Sequence, residues 1–307
     1  MSLLVIGSVA FDDIETPFGR AEKIVGGAGT YISWAASYFI DNISIISIVG
    51  EDFPKSELAA LEARGVDTSG IKIIEGGKSF FWAGRYHHNL NARDTLVTDL
   101  NVLADFDPVL TPTQKDMEFV MLGNLTPAIQ MSVIRQMARH PKVLALDTMN
   151  YWMDSAMTEL LKVLTHIDLL IINDEEARQL SGEYSLLKAS EIIREMGPKY
   201  LVIKKGEHGA LLFGEGQVFF APALPLTEVQ DPTGAGDTFA GGLMGYLAGR
   251  DMLNFEVLKQ ANICGSAMAS FCVEKFGTEG LRDLNLFELQ ERLDKFTQLV
   301  NFEAPVL

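Results

Sequence analysis

Apolar residues in this chain gather into short runs, at 3–7, 44–49, 119–122, 143–147, 169–173, 200–204 and 210–213. Each has strand length and is apolar at nearly every position, which is the pattern of strands buried on both faces. Between several of them the apolar positions recur at helical spacing instead, at 53–64, 128–139, 153–165 and 185–196. Strand–helix alternation of this kind predicts an α/β fold, a central and mostly parallel sheet flanked by helices. From residue 234 the pattern turns helical and stays so through Leu299. Two stretches break the alternation, approximately 11–24 and 78–98, where polar and aromatic residues alternate among turn formers. Phe80, Phe81, Trp82 and Tyr86 lie in the second. These stretches are expected to form a small β-sheet lid over a pocket, and plain surface hairpins are the simpler alternative. No linker or repeat interrupts the chain, so one domain over 1–307 with the two lid segments inserted is expected.

Composition narrows the partners. With 48% hydrophobic residues the chain can bury a large core. Its 41 acidic residues outweigh 25 Lys and Arg, a net charge of -16. Nucleic acid and anionic membrane surfaces are therefore poor partners. An anionic substrate needs local compensation. Cys264 and Cys272 sit eight positions apart in a helical pattern, about 12 Å, too far for a disulfide. Free thiols suit a reducing cytoplasm. No apolar segment approaches membrane-spanning length. The five histidines show no zinc-site spacing, and the His87-His88 pair reads as surface.

The most informative run is Asp231-Pro232-Thr233-Gly234-Ala235-Gly236-Asp237-Thr238-Phe239-Ala240-Gly241-Gly242. Asp-Pro opens a turn. Gly234, Ala235 and Gly236 leave backbone N–H groups open to a bulky anion at a helix start, where the dipole favours negative charge. Asp237 then sets a carboxylate beside an anion hole. A carboxylate repels phosphate, so it needs a chemical reason, and a base that takes the proton of an attacking hydroxyl supplies one. A capped turn followed by tight helix packing is the bland alternative. The run is neither a P-loop nor a dinucleotide fingerprint.

The run 231–239 resembles the C-terminal signature of the ribokinase-like, PfkB-type carbohydrate kinases. That resemblance implies ATP-dependent phosphorylation of an alcohol, with Mg2+ and a monovalent cation such as K+. It casts Asp237 as base and Gly234, Ala235 and Gly236 as the phosphoryl cradle. Asp12, after the first strand, matches the aspartate that grips the sugar, with Asp13 as its neighbouring alternative. Gly26 and Gly27 match the N-terminal Gly-Gly motif. Tyr31 stands where sugar kinases usually carry asparagine, and its phenol can hydrogen-bond or stack on a ring. Asn173 and Glu176 match an Asn-x-x-Glu motif serving Mg2+ indirectly; a helix N-terminus rich in acids is the alternative. Lys204 or Lys205, with Gly206 and Gly209, falls on the nucleotide side, as do Asn262 and Gly277. Asp231 and Thr233 fall where the family binds the monovalent cation. Asp147 ends a strand and borders the same region on thinner grounds. The acceptor is expected to be a sugar or cyclitol, with a nucleoside as the alternative and a non-catalytic sugar- or nucleotide-binding protein as the outsider. The resemblance also allows a homodimer through the lid.

Overall fold

A computed structural model describes residues 1–301 and 303. The continuous apolar runs do become central strands. In spatial order the large sheet runs Gln217–Ala221, Ala210–Gly214, Tyr200–Lys204, Leu169–Asn173, Val143–Leu146, Phe119–Leu122, Leu3–Ile6, Ile43–Gly50 and Val66–Asp67, and Ile71–Ile74 also pairs with Ile43–Gly50. Pairing is parallel from Tyr200–Lys204 through to Val66–Asp67 and antiparallel at the opposite edge.

Successive side chains of each strand enter opposite layers. Leu3, Val5, Phe119, Met121, Ile171 and Val202 pack with the helices Ala28–Ala36, Ala235–Arg250 and Phe255–Cys272. Leu4, Ile6, Val120, Leu122, Ile172 and Ile203 pack with Pro127–Gln136, Met157–Leu164, Asp174–Ser181 and Leu186–Glu195. Ala235–Arg250 is apolar nearly all round because Ala28–Ala36 and Phe255–Cys272 enclose it. Its glycines allow this: Gly241 and Gly245 stand against the backbone of Ile32 and Ala36.

The two aberrant stretches form a separate four-stranded sheet, in the order Gly19–Gly26, Ala10–Thr16, Phe80–Tyr86, Arg93–Asp99. Its centre is parallel, with Asp12 opposite Trp82, and both flanks are antiparallel.

Two features depart from the sequence reading. The helix expected at 153–165 is two, Asn150–Ser155 and Met157–Leu164, broken at Ala156, where φ is -146°. The break lets Trp152 donate to Asn124 Oδ1 at 2.9 Å while Leu160 and Val163 stay in the core. The short strands Val66–Asp67 and Ile71–Ile74 had too few residues to show a period. Among the described residues no helix is long and apolar enough to cross a membrane.

Candidate active site

Parallel strands present ligands beyond their carboxyl ends. Here Leu3–Ile6 leads into Asp12, Val143–Leu146 into Asp147, and Asn173 and Lys204 are register partners ending adjacent strands. Helix Ala235–Arg250 points its N-terminus at the same place.

Gly234 caps that helix in the left-handed region, with φ at 74°. A side chain there is excluded twice over, since it would also strike the ring of Tyr31. The turn uses one expected donor: Ala235 N–H bonds the Pro232 carbonyl at 3.2 Å. The cradle is therefore narrower than expected. It consists of the N–H groups of Gly234, Gly236 and Asp237, which lie in the first turn where no intrahelical acceptor exists. Lys204 reaches it from the sheet. Its Nζ lies 3.0 Å from where a side chain on Gly236 would begin.

Asp237 is half-buried at this helix start. Burial, then the charge of Asp147, pushes its carboxyl up to about 7, against the opposing charges of Lys204 and Arg93. Lys204 Nζ lies 3.3 Å from Asp147 Oδ2, both largely buried. Burial lowers the proton affinity of Lys204, but Asp147, Glu176 and Asp237 more than reverse this, so it stays charged. Asp147 is raised chiefly by burial, which outweighs its lysine partner. Its role was barely visible in sequence; the usable signal was its place after a buried strand, the same place that Asn173 and Lys204 occupy.

Asn173 and Glu176 form a reciprocal capping box. Glu176 N donates to Asn173 Oδ1 at 2.8 Å, and Asn173 N to Glu176 Oε2 at 2.7 Å. The helix-terminus alternative is thus present, and it fixes both side chains. Glu176 is nevertheless pushed up to about 7 by burial first and Asp147 second, so it retains unneutralised demand for a cation. Among the described residues no three acids, cysteines or histidines close into a metal cage. Carboxylates of this kind suit Mg2+ held through retained waters and nucleotide phosphates.

Asp12 is 4% exposed and pushed up to about 8, by burial and then by Asp231 and Asp237. Asp13 turns away and accepts from Lys23 N at 2.6 Å. The Gly-Gly motif makes room for protein: a side chain on Gly26 would collide with the Asp12 carboxylate, and Gly27, with φ at 92°, abuts Ser8 and Ala10 backbone.

Several expectations need correction. Tyr31 is 1% exposed beneath Gly234, with its hydroxyl unpartnered, so its ring is no open stacking face. Burial first, then the charges of Cys272, Asp12, Asp231 and Asp237, holds its phenol protonated. Asn262 is fully buried and donates to Leu258 O at 2.7 Å, because its helix presses that face onto Ala235–Arg250. It lines no accessible adenine site. Asp231 is fully buried and accepts from Thr233 N at 2.8 Å and Gly277 N at 3.1 Å. Its carboxylate ties the cradle turn to the loop of Gly277 and keeps spare lone pairs. Gly209 packs against Ala221 to Ala223, whereas Gly206 stands opposite Asn91 in the turn between Phe80–Tyr86 and Arg93–Asp99. Lys205 is held in its turn, its N–H on Gly209 O at 2.8 Å. His87 pairs with Asp94 at 3.2 Å on the surface.

The small sheet touches the site at one point that side chains define. Thr233 Oγ1 donates to Tyr86 Oη at 3.1 Å, which joins sheet to cradle. A residue that sequence reasoning missed is Arg93, whose charge acts on Asp12, Glu176 and Asp237 alike. Nothing in its local sequence marks it, because only the hairpin register brings it there.

The arrangement offers an amide cradle with a flanking cation for a phosphoryl group, a carboxylate able to change protonation near neutrality, and a second acid across the gap. The description of pfkB family carbohydrate kinases fits residues 2–283 of the chain. The chain belongs to that family. This pfkB kinase is an ATP-dependent phosphotransferase acting on an alcohol group of a sugar, nucleoside or similar small molecule. It is 29% identical over 259 residues to the cytidine kinase of Thermococcus kodakarensis, covering 82% of this chain and 91% of that one. It is 30% identical over 245 residues to the 2-dehydro-3-deoxygluconokinase of Thermoproteus tenax, covering 75% of each. Its fold matches an E. coli protein described as a ribokinase II, solved with ATP and Mg2+, at a TM-score of 0.77 and 21% identity over 97% of this chain and 99% of that one.

Proposed function

We propose that this kinase moves the γ-phosphoryl group of ATP to a hydroxyl of a nucleoside, with Asp237 as general base. The observation that carries the nucleoside reading is the wall beside Asp12. Trp82 lies opposite Asp12 in register, and its ring folds flat over Gly84, where any side chain would displace it. A flat indole next to a hydroxyl-gripping acid suits an acceptor with a ring to stack and a sugar to hold. The similarity to a cytidine kinase across most of both chains supports the same reading.

In this reading Asp12 orients the acceptor and Asp237 takes the proton of the attacking hydroxyl. Gly234, Gly236 and Asp237 N–H groups, with Lys204, hold the transferring group. Glu176 and Asp147, both acids raised by burial, would hold Mg2+ indirectly, and the ion would supply neutralising charge for the nucleotide phosphates. Asp231 and Thr233 are the residues that would serve a K+-type ion, through main-chain oxygens more than the committed carboxylate. The small sheet acts as the lid over this single unit, and two copies would pair through it.

Coupled ADP release over cytidine, other nucleosides, ribose, 2-dehydro-3-deoxygluconate and cyclitols tests the acceptor. The highest kcat/KM is expected with a nucleoside; a free sugar acid favoured at least about tenfold overturns that. Asp12→Asn is expected to raise the acceptor KM with little change in the ATP KM, and an unchanged acceptor KM removes Asp12 from that role. The same variant tests the buried charge. A carboxyl raised in the folded state contributes stability below about pH 4 that is lost as pH rises through about 8. The ligand-free protein should therefore have a lower Tm at pH 8.5 than at pH 6, and Asp12→Asn should flatten that slope.

A further inference from the structure

The hairpin Phe80–Tyr86/Arg93–Asp99 carries two arginines with opposite fates. Arg85 pairs with Glu15, at 2.9 Å and 3.2 Å. Arg93 makes no ion pair among the described residues. Its guanidinium lies 5.5 Å from the centre of the Trp82 ring. Register explains the difference. Arg93 is directly opposite Tyr86 and so shares its face, while Arg85 points the other way. The Tyr86 face is the one that meets the cradle, through the bond to Thr233. Trp82 and Gly84 lie on that face too, since they alternate with Tyr86 along the strand.

Four acids converge beneath this face, Asp12, Asp147, Glu176 and Asp237, and phosphate charge must join them there. Lys204 answers from the sheet side, already shared with Asp147. Arg93 is the cation that answers from above, with Tyr86 as its hydrogen-bond neighbour. Tyr86 takes one hydrogen bond from a guanidinium that carries five donors, so others remain for an anion.

We propose that Arg93 is a catalytic residue: a lid-borne guanidinium that grips the oxygens of the phosphoryl group in flight, across from Lys204. This rests on the phosphotransfer reading of Asp237. As the acceptor oxygen bonds to phosphorus, the bond from phosphorus to the bridging oxygen of ADP breaks. The hydroxyl proton passes to Asp237 and the electron pair leaves with ADP. Negative charge spreads over the equatorial oxygens meanwhile, and a planar fork matches two of them where an ammonium matches one. The transfer then requires the small sheet in place, because the sheet carries the group that stabilises its highest-energy state.

Arg93→Met is expected to lower kcat at least about a hundredfold, with less than about threefold change in the KM for ATP, using cytidine and 2-dehydro-3-deoxygluconate as acceptors. Arg93→Lys should recover only part of the loss, and guanidinium ion at millimolar concentration should partly rescue Arg93→Ala. Arg85→Gln, on the outer face, should turn over as the native enzyme does. A kcat for Arg93→Met within about threefold of native overturns the proposal. So does a rise in acceptor KM alone, which would make Arg93 a reader of the acceptor. A second measurement needs no acceptor. ADP, Mg2+ and aluminium fluoride together should raise the native Tm beyond ADP and Mg2+ alone, and Arg93→Met should lose that increment. An equal increment in both, or none in the native protein, also counts against it. Loss of turnover in Asp237→Asn is a separate result, and its absence would refute the base while leaving the Arg93 measurements standing.

Discussion

Asp237→Asn is expected to lower kcat at least about a hundredfold while leaving ATP affinity nearly unchanged, since general-base catalysis contributes about 10²–10⁴. The amide keeps the shape of the carboxylate and cannot accept the proton. The pH profile adds a sharper test. Asp237 is pushed up to about 7, by burial first and Asp147 second. A base works deprotonated, so kcat/KM for the acceptor should fall about tenfold per pH unit below about 7 and level off above it. The residual activity of Asp237→Asn should show no such limb. Stability should move the opposite way. The raised carboxyl favours folding below about pH 4 and loses that contribution as pH rises through about 7. At pH 8 the asparagine variant should therefore melt a few degrees higher than the native protein. A variant both inactive and more stable separates lost chemistry from misfolding. Native turnover, or a profile that keeps its acid limb, removes Asp237 as the base.

Lys204→Met should have the second-largest effect, on two separate axes. Its Nζ lies 3.3 Å from Asp147 Oδ2, and the Asp147 side chain is only 8% exposed. Removing the lysine leaves that carboxylate buried and unpaired, a destabilisation of about 3–5 kcal/mol. The Tm deficit should be large at pH 8 and smaller at pH 5.5, because Asp147, already raised by burial, escapes the penalty by taking up a proton. Loss of the cation beside Gly236 should also cut kcat about 10²–10³. The double variant Lys204→Met/Asp147→Asn separates the axes: Tm should recover and kcat should not. Recovery of both would reduce Lys204 to a structural ion pair.

The sheet was legible because buried parallel strands are apolar at every position, and runs such as 169–173 and 200–204 can hardly be read otherwise. The turn that opens helix Ala235–Arg250 was legible because a positive φ at Gly234 and a close approach to Tyr31 demand small residues in a fixed order. What resisted reading depends on packing between distant segments. Tyr31 looked available for stacking, yet the glycine that shapes the cradle does so by lying on its ring. Asn262 looked like a base-side amide, yet its helix turns that face onto a neighbour. Arg93 carries no motif, and a slip of one residue in the hairpin would have turned it outward. Asp147 and Lys204 each sit at a strand end, but their pairing needs two strands that are not neighbours in sequence.

Asp12 belongs to the small sheet, between Ile24 and Trp82, whereas Asp237 belongs to the body of the molecule. On the proposed reading, the anchor for the alcohol is thus woven into the roof itself. Seating the alcohol would then steady the roof at the same moment, and a water molecule, which brings no such grip, would leave it loose.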